Sequence, residues 1–306
     1  MNAILAACAV AAAAAPLRPA PAEATLEWRG GPTVLIERGG VRLLTDPMLG
    51  PRRPDAFVLP RHPSTGAANA SIARYTDPPE TPIGRLDAVL VSHAHADHVD
   101  DTARRCLPKD ALVILPPSAE ATMRAAGFTN LRVLDWGGET TLGAEGPRVR
   151  ITAVEAHHSH DPATDVAVGK VNGYVIAWEG KPGPYRLYWT GDAVGDASMR
   201  QVAALHGALD LFLPHLGAVG SDGPLGLKTM DAEEATAAVV ALRPALVIPI
   251  HHTTFGHYRE PVSAFQQRAL AAGVGDRVRV LREGEKTSLA GAPSQAAQEE
   301  PYPFGP

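Results

Sequence analysis

The stretch LVSHAHADHVDD, residues 90–101, sets His93, His95, Asp97 and His98 within six positions of a chain that has 12 histidines among 306 residues. Neutral imidazole and ionised carboxylate in one short segment suit a divalent cation, zinc best, with manganese and iron as alternatives. His93 and His95 stand two apart, so in an extended segment both rings point the same way and can grip one ion. Asp97 and His98 follow where the chain turns and point elsewhere, which implies a second ion. A calcium site would use far more oxygen.

Three further segments end in the same kind of residue. ITAVEA runs into His157 and His158, LYWTG into Asp192, and LVIPI into His251 and His252. Each lies where an apolar run stops, and strand ends are where a rigid sheet delivers side chains to one edge. One metal site assembled from distant segments is the expectation. No G-x-S-x-G and no Ser/His/Asp constellation is visible, so the chemistry does not ask for a protein nucleophile.

Strands and helices must carry these ends. PTVLIE, RGG and VRLLTD predict a hairpin. LDAVLVS and ALVILP predict strands, and SAEATMRAAGF a helix with Ser118 as its N-cap and Gly127 near its end. Asp100 and Asp101 are expected in the solvated first turn of a helix after the histidine cluster, where carboxylates suit the dipole. RVRITAVEA, GYVIAWEG and YRLYWTGD form a β-rich middle, followed by LDLFLP. The helix DAEEATAAVVALRP opens on Asp231 and Glu234, which resemble a capping box; ALVIPI and the helix EPVSAFQQRALAAG close the fold. Trp28, Trp136, Trp178 and Trp189 are expected in the core or on strand faces. The pattern predicts a single α/β domain over residues 25–290 in which helices cover sheets. Residues 51–80, dense in proline and polar side chains, are too long for a simple connection and are expected to shape a pocket.

Composition bounds the function. A formal charge of −5 gives no bulk attraction to phosphate backbones, which argues against a dedicated nucleic-acid binder. Residues 1–24 read as a leader: AILAACAVAAAAA is apolar but too short to span a bilayer, and AEA (Ala22 to Ala24) has the form of a signal-peptidase site. LAAC also resembles a lipobox around Cys8. Export to the periplasm or beyond, cleaved or lipid-anchored, is expected, with a cytoplasmic chain as the alternative. Cys106 would then stand alone, without a disulfide. Residues 291–306 read as a disordered tail.

The segment HAHADH matches the H-x-H-x-D-H signature of the metallo-β-lactamase superfamily. LLTDP with Asp46 looks like that family's early strand-end aspartate, EAHHS like its next histidine segment, TGD like its bridging aspartate, and IPIHHTTF like its last histidine. The wording TDPMLGPRRP, AHH, MDAEEA and IHHTTF is similar to the branch that contains ascorbate-phosphate lactonase and N-acylphosphatidylethanolamine phospholipase D. The resemblance runs from about residue 26 to 285 and implies a four-layer αββα sandwich.

It also implies a ligand set. His93, His95 and His158 would hold one metal, and Asp97, His98 and His251 the other, with Asp192 bridging. His158 falls on the histidine of A-x-H, and His251 stands three before the threonine of H-x-x-T-F. Asp46 would orient a ligand histidine; His215, His252 and His257 are placed behind the ligands or beside the substrate. His62, His160 and His206 are expected to pack or to face solvent.

The implied activity is hydrolysis of a phosphodiester or lactone, in a small or lipid-derived substrate, by a hydroxide held between two zinc ions. Asp97 and Asp192 would handle the proton. The lactamase reading is weaker, because the single-cysteine class needs a cysteine near the site. A di-iron redox member and a non-catalytic metal protein are the alternatives. The former usually carries glutamate where this chain has His95, and no residues remain for its flavin domain.

Overall fold

The structure is a computed structural model and describes residues 24–59, 66–143, 148–180 and 183–289. The leader apart from Ala24, the tail and His62 lie outside the described residues.

Alternation of apolar side chains builds two sheets that face each other. The first holds seven strands, β1 (Thr25–Trp28), β2 (Val34–Arg38), β3 (Val41–Thr45), β6 (Ala88–Leu90), β7 (Val113–Leu115), β8 (Leu131–Val133) and β15 (Lys286–Ser288), in the order β15-β1-β2-β3-β6-β7-β8. The second holds six, β9 (Glu139–Leu142), β10 (Val149–Ala156), β11 (Val171–Trp178), β12 (Tyr185–Trp189), β13 (Leu211–Leu213) and β14 (Leu246–Val247), in the order β14-β13-β12-β11-β10-β9. Successive strand residues point to opposite faces. Leu43, Tyr174, Ile176, Leu187, Trp189, Leu211 and Leu213 therefore fill the layer between the sheets. Their neighbours Leu44, Val175, Tyr188 and Phe212 point outward under helices.

Six helices occur among the described residues. α1 (Asp101–Cys106) and α2 (Pro117–Ala125) cover the first sheet through Ala103, Ala119 and Met123. The second sheet lies under α4 (Ala197–His206), α5 (Ala232–Leu242) and α6 (Val262–Ala271), which press Met199, Val202, Val239 and Phe265 onto it. The short α3 (Pro162–Val168) follows the second histidine segment. Helix, sheet, sheet, helix is the four-layer sandwich expected.

Local expectations fare unevenly. The 34–45 hairpin forms, with Val41 opposite Arg38. Ser118 is not a cap: α2 starts with Pro116 at its N-cap and Pro117 inside, and Ser118 Oγ donates to Lys170 O at 2.6 Å. A ring with φ fixed near −65° already suits a first helical turn. Asp100 is not a solvated first-turn residue but the N-cap of α1, accepting from Ala103 N at 2.7 Å and Gly50 N at 2.6 Å; only Asp101 is exposed. Asp231 caps α5 through Glu234 N, while the Glu234 carboxylate reaches Gly195 N instead of closing the box. Within 51–80 the chain forms a small two-stranded sheet, β4 (Arg53–Val58) with β5 (Ser71–Arg74). Cys106 is disulfide-bonded, which corrects the expectation that it stands alone.

The topology sends six strand ends to one edge. β3 and β6 are parallel neighbours, as are β12, β13 and β14, while β10 and β12 both run antiparallel to β11 and so share a direction. Asp46 follows β3, His93 follows β6, His158 follows β10, Asp192 follows β12, His215 follows β13 and His251 follows β14.

Candidate metal centre

Two groups of side chains meet at this edge. His93, His95 and His158 form one and Asp97, His98, Asp192 and His251 the other, with the potential ligand atoms of each group within 4.8 Å of one another. The rings of His93 and His95 are 4.4 Å apart and those of His93 and His98 4.0 Å, so the two groups adjoin. A turn after His95, closed by His98 N donating to His95 O at 3.0 Å, redirects Asp97 and His98 away from the first pair.

Each ring is fixed by one of its nitrogens. His158 Nδ1 donates to Lys228 O at 2.9 Å, His251 Nδ1 to Leu216 O at 3.2 Å, and His95 Nε2 to Val168 O at 2.9 Å. A carbonyl only accepts, so the other nitrogen of each ring is the one with a lone pair to offer. Ser92 hydroxyl donates to Asp46 Oδ2 at 2.5 Å, which leaves its oxygen to accept from His93 Nδ1 at 3.0 Å. His98 Nδ1 reaches Asp46 Oδ2 at 2.6 Å. The remaining Nε2 atoms of His93 and His251, and Oδ1 of Asp97, are buried without a hydrogen-bond partner, and His98 Nε2 meets Asp192 Oδ2. Buried polar atoms left open together suit a cation, and orienting one imidazole nitrogen to free the other is how proteins present histidine to a metal. The donor set fits a divalent cation.

Asp192 is held in the same manner. Trp189 Nε1 donates to His215 Nε2 at 2.8 Å, and an indole N–H can only donate. His215 therefore carries its proton on Nδ1 and donates it to Asp192 Oδ1 at 2.8 Å. Asp192 Oδ2 faces His98 Nε2 at 3.1 Å, and Oδ1 faces His251 Nε2 at 3.6 Å.

The backbone at this edge is unusual. His251 (φ 64) and Asp46 (φ 26) are two of four non-glycine residues with positive φ among the described residues, a conformation that persists where surrounding structure enforces it, often at functional sites. Gly191 (φ 59) has no alternative: a Cβ there would lie 2.6 Å from Ser92 Cβ and 2.9 Å from Asn172 O.

Electrostatics follow from burial. Loss of solvation holds His93 and His251 well below the ordinary imidazole value, lowers His95, and brings His158 down to about 4. His98 is the exception. Burial works downward on it too, but Asp192, Asp46 and Asp97 outweigh that and hold it well above. Asp192 and Asp97 are held below the usual carboxylate range, burial being overcome by His251, His98 and His215 for the first and by His98 and His257 for the second. Burial raises Asp46, yet three donors converge on it, the pattern of an ionised acceptor.

The other candidates divide. Asp46 holds His98 and His215 holds Asp192. His257 is buried with Nε2 3.5 Å from Asp97 Oδ2. His252 does not join the cluster: its ring lies 4.6 Å from Trp28, and burial lowers it to about 3. His157 turns outward to pair with Asp196, and His160 pairs with Glu234. Ser92, Trp189 and the three carbonyls were not foreseen; Trp189 alone carried a signal, since a buried indole N–H requires an acceptor.

A sandwich with a buried histidine–aspartate cluster at one sheet edge defines the metal-dependent hydrolases of the metallo-β-lactamase fold. The chain belongs to the β-lactamase superfamily, whose Beta-lactamase superfamily domain matches residues 41–252. A relative named UPF0173 metal-dependent hydrolase, from Anaeromyxobacter sp. (strain K), is 30% identical over 274 residues, covering 86% of this chain and 85% of the relative. Among solved structures, isothiocyanate hydrolase from Delia radicum gut bacteria superposes with a TM-score of 0.72 at 22% identity, over 86% of this chain and 98% of that one, a likeness of fold. Igni18, a metallo hydrolase from Ignicoccus hospitalis, gives 0.59 at 25% identity, over 87% and 98%. The chain is a metal-dependent hydrolase.

Proposed function

We propose that His93, His95 and His158 hold one divalent cation and Asp97, His98 and His251 a second, that Asp192 contacts both, that zinc fills both positions, and that the substrate is a phosphodiester or a lactone. One observation carries the metal assignment: each of the five imidazoles has one nitrogen committed to a protein group and the other turned toward the cluster. When bound, such a pair of cations lowers the pKa of water and polarises the oxygen of the bond to be cut. His215 keeps the Asp192 carboxylate aligned between the two groups, and Asp46 does the same for His98. Asp97 Oδ1, buried and without a partner, is the carboxylate oxygen open to hold or return a proton.

The substrate class rests on the wording TDPMLGPRRP, MDAEEA and IHHTTF. The test is turnover by zinc-loaded protein on phosphodiesters, lactones, lactams and isothiocyanates, with Asp192→Ala and His95→Ala as controls. Hydrolysis of a phosphodiester or lactone that both variants abolish supports the reading. Turnover confined to lactams or isothiocyanates overturns the substrate class, and iron with visible absorbance overturns the zinc assignment. Export directed by residues 1–24 is part of the proposal; recovery of the protein from the periplasm or beyond supports it, and recovery from the cytosol alone contradicts it.

A further inference from the structure

Beside the metal centre lies a cavity of about 280 Å³ between the β4–β5 sheet and α1, with Arg53, Arg74, Arg104 and Arg105 in its lining. Its acids are Asp100 and Asp101. Asp100 accepts from the backbone, one oxygen from Ala103 N and the other from Gly50 N, and its charge also acts on Arg74. Asp101 is exposed and 3.5 Å from Arg104. Arg53 pairs with Asp55 at 2.8 Å in solvent. Among the described residues, Arg105 and Arg74 have no carboxylate within ion-pair distance. Arg105 reaches only Thr102 Oγ1 at 3.4 Å. Arg74 is 2% exposed, donates to Thr76 O and Met48 O, and keeps Nη2 without a partner. The carboxylates of Asp100 and Glu283, beyond ion-pair distance, offset part of the cost of burying this guanidinium, and a bound anion would add to them.

The cavity adjoins the reacting centre. Ala96, between His95 and Asp97, is part of its wall, and so is Phe57, whose ring lies 5.5 Å from that of His257. Its volume falls just below the roughly 300–1,000 Å³ of pockets that enclose whole drug-sized ligands, which suits one end of a molecule. The guanidinium fork matches the oxygens of phosphate and carboxylate.

We propose that this cavity is an oxyanion subsite that takes a phosphate or carboxylate group of the substrate, remote from the bond that is cut, between Arg53, Arg104 and Arg105, with Arg74 as buried counter-charge. Calling the ligand part of a substrate rests on the hydrolytic reading of the adjacent centre; binding of the anion does not.

The experiment is calorimetric titration of the full chain, zinc-loaded and after chelation, with inorganic phosphate and with acetate. One anion site that survives chelation is expected, with the tighter anion identifying the group. Arg53→Gln with Arg105→Gln, both at the surface, should weaken it at least about tenfold, the scale of a charge-assisted contact. Arg74→Gln should weaken it further, its melting curve read alongside. No anion site after chelation, or equal affinity in the double variant, overturns the proposal. These readings need no turnover, so failure of the hydrolytic reading is seen separately. Where a substrate is found, the double variant should raise KM for the anionic member of a matched pair and not for its neutral counterpart.

Discussion

His215→Phe isolates the strut behind Asp192. The ring is fully buried and stacks on His251 with centroids 4.9 Å apart and planes 10° apart, a contact that phenylalanine keeps. What it removes is the proton donated to Asp192 Oδ1 and the acceptor for Trp189 Nε1, both at 2.8 Å. A buried indole N–H left unpaired costs about 1–3 kcal/mol of stability. Loss of the group that orients a ligand carboxylate costs about 10–100-fold in metal affinity, or about 1.4–2.7 kcal/mol. Denaturant melts of the metal-free protein and competition with a chromophoric zinc chelator measure the two effects separately. Trp189→Phe added to His215→Phe should recover stability without recovering metal affinity, because it removes the orphaned donor and leaves Asp192 unsupported. Affinity within about threefold of wild type in His215→Phe would refute the argument that His215 fixes Asp192.

Three further outcomes follow from the site. Zinc binding at pH 6 should release clearly fewer protons per chain than the about four that five unshifted imidazoles would, since His93, His95, His158 and His251 are lowered and His98 alone is raised. Calorimetry in buffers of different ionisation enthalpy reads the number, and the sign makes binding weaken as pH falls. Gly191→Ala should destabilise the fold by at least about 2 kcal/mol, through positive φ and the clash with Ser92 and Asn172; an unchanged melting temperature contradicts this. His252→Phe should keep the wild-type metal content whereas His251→Ala loses metal, and the reverse pattern in metal analysis would exchange their roles.

The site was legible where side-chain identity and strand period coincide. His93 and His95 stand two apart after β6, and Asp97 and His98 lie across a turn, so four residues in six announce two directions. His157 and His158 show the same logic at one position: as β10 ends, one side chain points out to Asp196 and the next points in. The six strand ends that share an edge follow from apolar runs that stop at polar residues. Main-chain support was not legible. Val168, Lys228 and Leu216 act through carbonyl oxygens, which every residue has, and only the folded loops bring them to the rings. Ser118 failed as a cap because the two prolines before it already fix the start of α2. The cavity beside α1 joins arginines from the β4–β5 sheet to arginines of a helix some fifty positions later, a meeting that composition alone does not foretell.

Anomalous diffraction at the zinc edge from crystals of the metal-loaded protein tests the central claim most directly. Two peaks are predicted, one enclosed by His93, His95 and His158 and one by Asp97, His98 and His251, with Asp192 reaching both. A single peak, or peaks away from these residues, would contradict it.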